Sequence, residues 1–204
     1  MKRFFDRKDT NWKSLIGALH VYVVLKSNSN IVKKTISISE SIKYNKSIAI
    51  QPEEYLHMTV QRLDLYKDDL SDEKLRVLIE NLRNVTNLIT PFNVEFEKPA
   101  VRNEAIEVIG KKNEQWDNLV DMVRNAICES GLSDYLTDPP FGPHYTVAYC
   151  VKNTEPNEDK TLKSVLDNFS NYDFEISSID LVAVNQKPYD GIFEFTSFAH
   201  LKFI

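Results

Sequence analysis

The sequence predicts an α+β fold, and three observations predict it. Short strand-like runs and segments of helical periodicity interleave along all 204 residues. Some strands follow one another directly, unlike the strict strand–helix alternation of a doubly wound parallel sheet. A short frame also recurs 87 residues apart, as His57-Met58-Thr59-Val60 and His144-Tyr145-Thr146-Val147, each on a strand and each followed by a helix. The recurrence implies one bilobal domain, 1–204, with approximate twofold symmetry about a central cleft and helices on the outside. Residues 1–14 read as an N-terminal extension.

The elements follow in order. The apolar run 15–26 is a central strand, ended by the polar Ser27-Asn28-Ser29-Asn30. A weakly amphipathic helix covers 31–44, and the first motif strand covers 55–64. Ser71 caps a helix over 72–87, with Asp72 and Glu73 in its first turn and Leu75, Leu78, Ile79, Leu82 and Val85 on one face. Residues 92–97 and 104–110 read as two paired strands. The stripe Trp116, Leu119, Val120, Val123, Ile127 predicts a helix over 113–130, stopped by Gly131. Pro139, Pro140 and Pro143 impose an extended lead into the second motif strand, 144–151. A helix over 158–169 buries Leu162, Val165, Leu166 and Phe169. Strands 173–185 and 192–203 close the chain.

Composition narrows the function. Hydrophobic residues make up 42% and aromatics 11%, enough for a substantial core. The net charge of −5 argues against a long duplex, which calls for a basic stripe, and favours a small nucleotide or short oligonucleotide. Two cysteines, Cys128 and Cys150, make no disulfide framework and suit a reducing cytoplasm. The charged N-terminus lacks a signal-peptide run, and no apolar run spans a bilayer. No Walker-type or G-x-G-x-x-G loop is present. A monomer is expected.

Side chains two apart on a strand share a face. His57, Thr59, Gln61 and Leu63 therefore lie together, as do His144, Thr146, Ala148 and Cys150. The other faces carry Met58, Val60 and Arg62, and Tyr145, Val147 and Tyr149. Each motif offers an imidazole beside a hydroxyl. Phosphodiester cleavage needs one proton removed from the attacking oxygen and one delivered to the leaving oxygen. Two imidazoles, with an ordinary pKa of about 6.5, can hold opposite protonation states at one pH. Two threonine hydroxyls can hydrogen-bond the phosphate oxygens as charge builds. The residues themselves do not say which histidine is acid and which is base.

Tyr55-Leu56-His57-Met58-Thr59-Val60 and Phe141-Gly142-Pro143-His144-Tyr145-Thr146-Val147 resemble the paired motifs of the 2H phosphoesterase superfamily, which includes 2′-5′ RNA ligase-like proteins and cyclic phosphodiesterases. The resemblance runs from about residue 17 to the last strand, leaving out the first dozen residues and the 31–50 segment. It implies a bilobal α+β fold and metal-independent chemistry without a cofactor. It also implies His57, Thr59, His144 and Thr146 as working residues. Gln61-Arg62 departs from it, since many members carry apolar residues and then a glycine there. The implied activity is hydrolysis of 2′,3′-cyclic or 2′-5′-linked nucleotides. The alternatives are hydrolysis of a cyclic oligonucleotide messenger and a non-catalytic nucleotide-binding module.

Other residues are weighed against blander roles. His20 and Tyr22 share a face of the first strand and line the cleft if that strand is central; a hydrogen-bonded core histidine is the simpler reading of His20. Gln61 follows the motif face into the site. Phe141, Tyr135 and Tyr189 lie among turn residues and are candidates to stack a base. Arg62, Arg102 and Lys187 read as solvated, and His200 as surface. No H-x-H, H-E-x-x-H or C-x-x-C pattern points to a metal.

Overall fold

The computed structural model describes residues 1–26 and 29–204. The expected strand end at Ser27-Asn28 lies outside the described residues. The strands are β1 (Ala18–Val24), β2 (Ile48–Ile50), β3 (His57–Tyr66), β4 (Phe92–Phe96), β5 (Ala100–Val101), β6 (Ala105–Ile109), β7 (His144–Cys150), β8 (Tyr172–Ile176), β9 (Ser178–Lys187) and β10 (Ile192–Lys202). The helices are α1 (Asn30–Ile42), α2 (Asp72–Thr86), α3 (Glu114–Glu129) and α4 (Pro156–Leu166).

Two four-stranded antiparallel sheets form the lobes, in the orders β10-β9-β1-β3 and β2-β7-β6-β5. Helices α2 and α3 cover the first sheet, and α1 and α4 cover the second. The caps are those the local sequence dictates. Ser71 accepts from the Lys74 amide, Asn113 accepts from the Trp116 amide, and Glu155 and Glu158 form a capping box with Pro156 at the first helical position. Leu78 and Leu82 of α2, with Trp116, Leu119 and Val123 of α3, are fully buried in the main core. Each such aliphatic side chain contributes roughly 1.5–3 kcal/mol.

The two halves repeat as β1-α1-β3-α2-β4 and β6-α3-β7-α4-β8. The first helix of each repeat packs on the other lobe: α1 lies against β7, and α3 against β3. The last strands of the two repeats, β4 and β8, pair antiparallel with each other through Val94 and Phe174. The pseudo-twofold axis therefore passes through that ladder.

This pairing corrects two expectations. Strands β4 and β6 are not ladder partners; they meet only at the bridge between Phe96 and Gly110 and its flanking backbone bonds. The segment 173–185 is two strands, β8 and β9, in different sheets. Two short strands, β2 and β5, were not foreseen; neither is long enough to show alternation.

A third correction concerns which side chains face the cleft. On β3, Thr59 pairs with Tyr22 but Gln61 pairs with Val21, so Val60 is an extra residue. On β7, Thr146 pairs with Glu107 but Ala148 pairs with Ile106, so Val147 is extra. Each motif strand thus carries a β-bulge one residue past its threonine, and beyond it the faces exchange. Arg62 and Tyr149 come round to the histidine face. Gln61 turns away and accepts from the Arg124 guanidinium of α3 at 2.6 Å. Among the described residues no helix is long and apolar enough to cross a membrane.

Candidate active site between the two motif strands

The cleft between the lobes holds a cavity of about 600 Å³ lined by His57, Thr59, His144, Thr146, His20, Tyr22, Arg62, Tyr149 and Phe141, among others. The two motifs deliver their histidines in the same way. His57 Nδ1 donates to the Tyr55 carbonyl at 2.7 Å, and His144 Nδ1 donates to the Gly142 carbonyl at 2.9 Å. In both cases the acceptor lies two residues back, where a 3₁₀ turn (Glu53–Tyr55) or the proline-rich approach brings the chain into the strand. A carbonyl only accepts, so Nδ1 carries the proton and Nε2 is the nitrogen left to gain or lose one.

Each ring is also held by an aromatic neighbour. Tyr22 stacks on His57 with centroids 3.9 Å apart, and Phe141 stacks on His144 at 4.1 Å. Thr59 lies beside the Tyr22 phenol, and Thr146 beside that of Tyr149; burial pushes both phenols up, so both stay protonated.

The electrostatics of the two imidazoles differ. Burial and then the charge of His144 bring His57 down to about 4, against the pull of the Tyr55 carbonyl. Burial also lowers His144, but there the Gly142 carbonyl and the Glu107 carboxylate favour the proton, with Arg7 opposing. His20 is buried and lowered well below the usual range; its Nδ1 meets the Tyr22 hydroxyl at 2.7 Å.

The cavity therefore brings together six of the residues read from sequence: His57, Thr59, His144, Thr146, Tyr22 and Phe141. Gln61, Tyr135 and Tyr189 do not line it. Gln61 is on the helix side because of the bulge, Tyr135 follows α3 in a separate turn, and Tyr189 is 98% exposed at the tip of the β9–β10 hairpin. Arg62, read as solvated, reaches the cavity. Its signal was present in the spacing: Met58, Val60, Leu63 and Leu65 run two, three, two, which marks one inserted residue. Tyr149 stands at the same place in the second motif. Among the described residues, no three His, Cys, Asp or Glu side chains gather as a metal site needs.

Such a frame, with one histidine strand from each lobe meeting at a shared cavity, is that of a 2H phosphoesterase. A sequence model described as the 2′-5′ RNA ligase superfamily matches residues 40–188. The chain belongs to that superfamily, and its class is that of a phosphodiesterase. Solved structures repeat the architecture. TT0787 of Thermus thermophilus aligns with a TM-score of 0.67 at 16% identity, over 91% of this chain and 97% of that one. LigT of E. coli, in complex with 3′-AMP, aligns with a TM-score of 0.63 at 17% identity, over 92% and 98%. The ns2 PDE domain of MHV aligns with a TM-score of 0.56 at 13% identity, over 83% and 99%. At these identities the likeness is one of fold. No curated protein matches the sequence.

Proposed function

We propose that residues 1–204 act as one bilobal, metal-independent phosphodiesterase on 2′,3′-cyclic or 2′-5′-linked nucleotides and short oligonucleotides. The observation that supports it is the shared restraint of His57 and His144. Each is fixed through Nδ1 and each brings a threonine to one cavity. LigT, of the same fold, has been solved with 3′-AMP, ATP, NADP+ and phosphate, which fits a nucleotide ligand here. A monomer in the cytoplasm is the proposed working form.

Burial disfavours the proton on both rings, and at His144 the Glu107 carboxylate works against that, which is the ground for assigning the roles. Glu107 favours the proton on His144, while burial and His144 itself disfavour one on His57. His57 is then the general base and His144 the general acid. With a 2′,3′-cyclic phosphate, His57 Nε2 takes a proton from water as its oxygen bonds to phosphorus. The bond from phosphorus to one ribose oxygen breaks, and His144 gives that oxygen its proton. With a 2′-5′ linkage, the adjacent 3′-hydroxyl attacks first and the 5′-oxygen leaves. Thr59 and Thr146 donate to the non-bridging oxygens.

Turnover on a panel of 2′,3′-cyclic and 2′-5′ substrates in excess EDTA tests this. Activity should persist with chelator. His57→Ala and His144→Ala should each lower kcat by about 10²–10⁴ with an unchanged melting temperature. Tight binding without turnover by the wild type would leave a binding module, and loss of activity to EDTA would sink the metal-free scheme.

A further inference from the structure

Residues 1–13 supply no imidazole or threonine of the two motifs, yet Phe4, Arg7, Asp9 and Trp12 form a wall of the same cavity. The segment is a strap fixed to both lobes. On the β7 side, the Lys2 amide donates to the Asn103 carbonyl at 2.7 Å and the Arg3 amide to Asn153 Oδ1 at 2.8 Å. On the β3 side, the Ser14 amide donates to the Tyr66 hydroxyl at 3.2 Å. Between these anchors Phe4 packs on Tyr149 at 4.5 Å, Phe5 on Phe193 at 5.3 Å, and Trp12 on His20 at 5.4 Å.

Asp9 holds two arginines at the rim. Its carboxylate accepts from Arg7 Nε at 2.9 Å and Nη2 at 2.6 Å, and its carbonyl accepts from Arg62 Nη1 at 2.6 Å. Arg62 lies over the Trp12 ring at 5.1 Å. Arg7 keeps Nη1 outside the Asp9 fork. It also lines an adjoining cavity of about 890 Å³, so it stands where the two cavities meet. Lys2, Arg102 and Lys163 line the second cavity, with Glu104, Glu107 and Asp159 among them. Asp159 is engaged by Thr154 at 2.6 Å and by the Met1 ammonium.

The histidines and threonines supply what a scissile phosphate needs. A guanidinium held at the mouth of a second cavity has another use: the edge that Asp9 leaves open, Nη1 with the second Nη2 hydrogen, can donate to a phosphate. We propose that Arg7, positioned by Asp9, binds a second phosphate of the substrate, beyond the one that is cleaved. The strap is then part of the substrate site, and the preferred substrates carry at least two phosphates. This rests on the phosphodiesterase reading for the position of the first phosphate.

Calorimetric binding tests it without turnover, using adenosine 3′-monophosphate, adenosine 3′,5′-bisphosphate and a dinucleotide with the same 3′-phosphate. The last two present the second phosphate as a monoester or a diester, and tell those sources apart. Wild type should bind at least one of them about tenfold tighter than the monophosphate. Arg7→Gln should remove that gain while leaving monophosphate affinity within about twofold, and Arg7→Lys should keep part of it. Asp9→Asn, which loosens Arg7 but leaves its charge, should also weaken the gain. Equal wild-type affinities, or equal losses for all ligands in Arg7→Gln, would overturn the proposal. Turnover is read separately. An Arg7-dependent gain with no turnover refutes the chemistry and leaves the second-phosphate site standing.

Discussion

Burial and a neighbouring imidazole hold His57 at about 4 in the free protein, and burial lowers His144 as well. A bound phosphate anion favours both protonated rings and raises both values. The pH profile of kcat reports the bound state and that of kcat/KM the free one. Both limbs of the kcat profile should therefore lie at higher pH than those of kcat/KM, which initial rates from pH 4 to 9 would show. The same shifts bear on stability. His20, His57 and His144 all titrate lower when folded, so between about 4 and 6.5 the unfolded chain binds more protons. Stability should rise with pH across that window and fall as pH drops through it, His57 contributing at most about 1.4 kcal/mol per pH unit. Urea melts at stepped pH should show the slope, and His57→Gln should flatten it. The pairing of His with Thr was legible because a two-residue period is local. The exchange of Gln61 for Arg62 was legible only in the apolar spacing from Met58 to Leu65; the pairing that makes it a bulge depends on the neighbouring strand.

The hairpin of β9 and β10 ties the lobes together. Gln51, just after β2, donates from Nε2 to the Phe193 carbonyl at 2.6 Å and accepts from the Phe193 amide at 3.2 Å. Gln51→Ala strands two buried backbone groups and should cost about 2–3 kcal/mol. The turn itself needs Gly191, whose φ is 74°. A Cβ there would overlap Val151 and come within 2.7 Å of Ala49, both in the opposite lobe. Gly191→Ala should lower the melting temperature by several degrees, as about 2 kcal/mol does in a chain of this size. Calorimetry on both variants checks the seam. Helices were legible here through caps and stripes, as with Ser71 and Trp116. Strand partners were not: 92–97 and 104–110 are neighbours in sequence, and adjacency is only a tendency in pairing. Phe92 to Phe96 instead finds Tyr172 to Ile176, some 80 residues on.

Across the whole molecule, neither half is self-contained. The first half ends with β4, whose partner is β8, and its α1 rests on the sheet of the second half. Fragments 1–98 and 99–204, cut between β4 and β5, should each lack a cooperative melt by circular dichroism. Mixed, they should recover one, together with turnover; a stable isolated fragment would contradict the exchange of helices. The bilobal plan was legible from the repeated motif, but the crossing of α1 and α3 was not, since a helix's apolar stripe does not name the sheet it covers.

That crossing has a bearing on the proposed division of the two histidines into an acid and a base. A half-length polypeptide with a single motif could make the cleft only by trading helices with an identical copy, and symmetry would give both imidazoles the same surroundings. Covalent linkage of the halves lifts that constraint. It allows Arg62 at one bulge and Tyr149 at the other, Tyr22 opposite one threonine and Glu107 opposite its counterpart. Two rings of common design can then divide the labour of proton transfer.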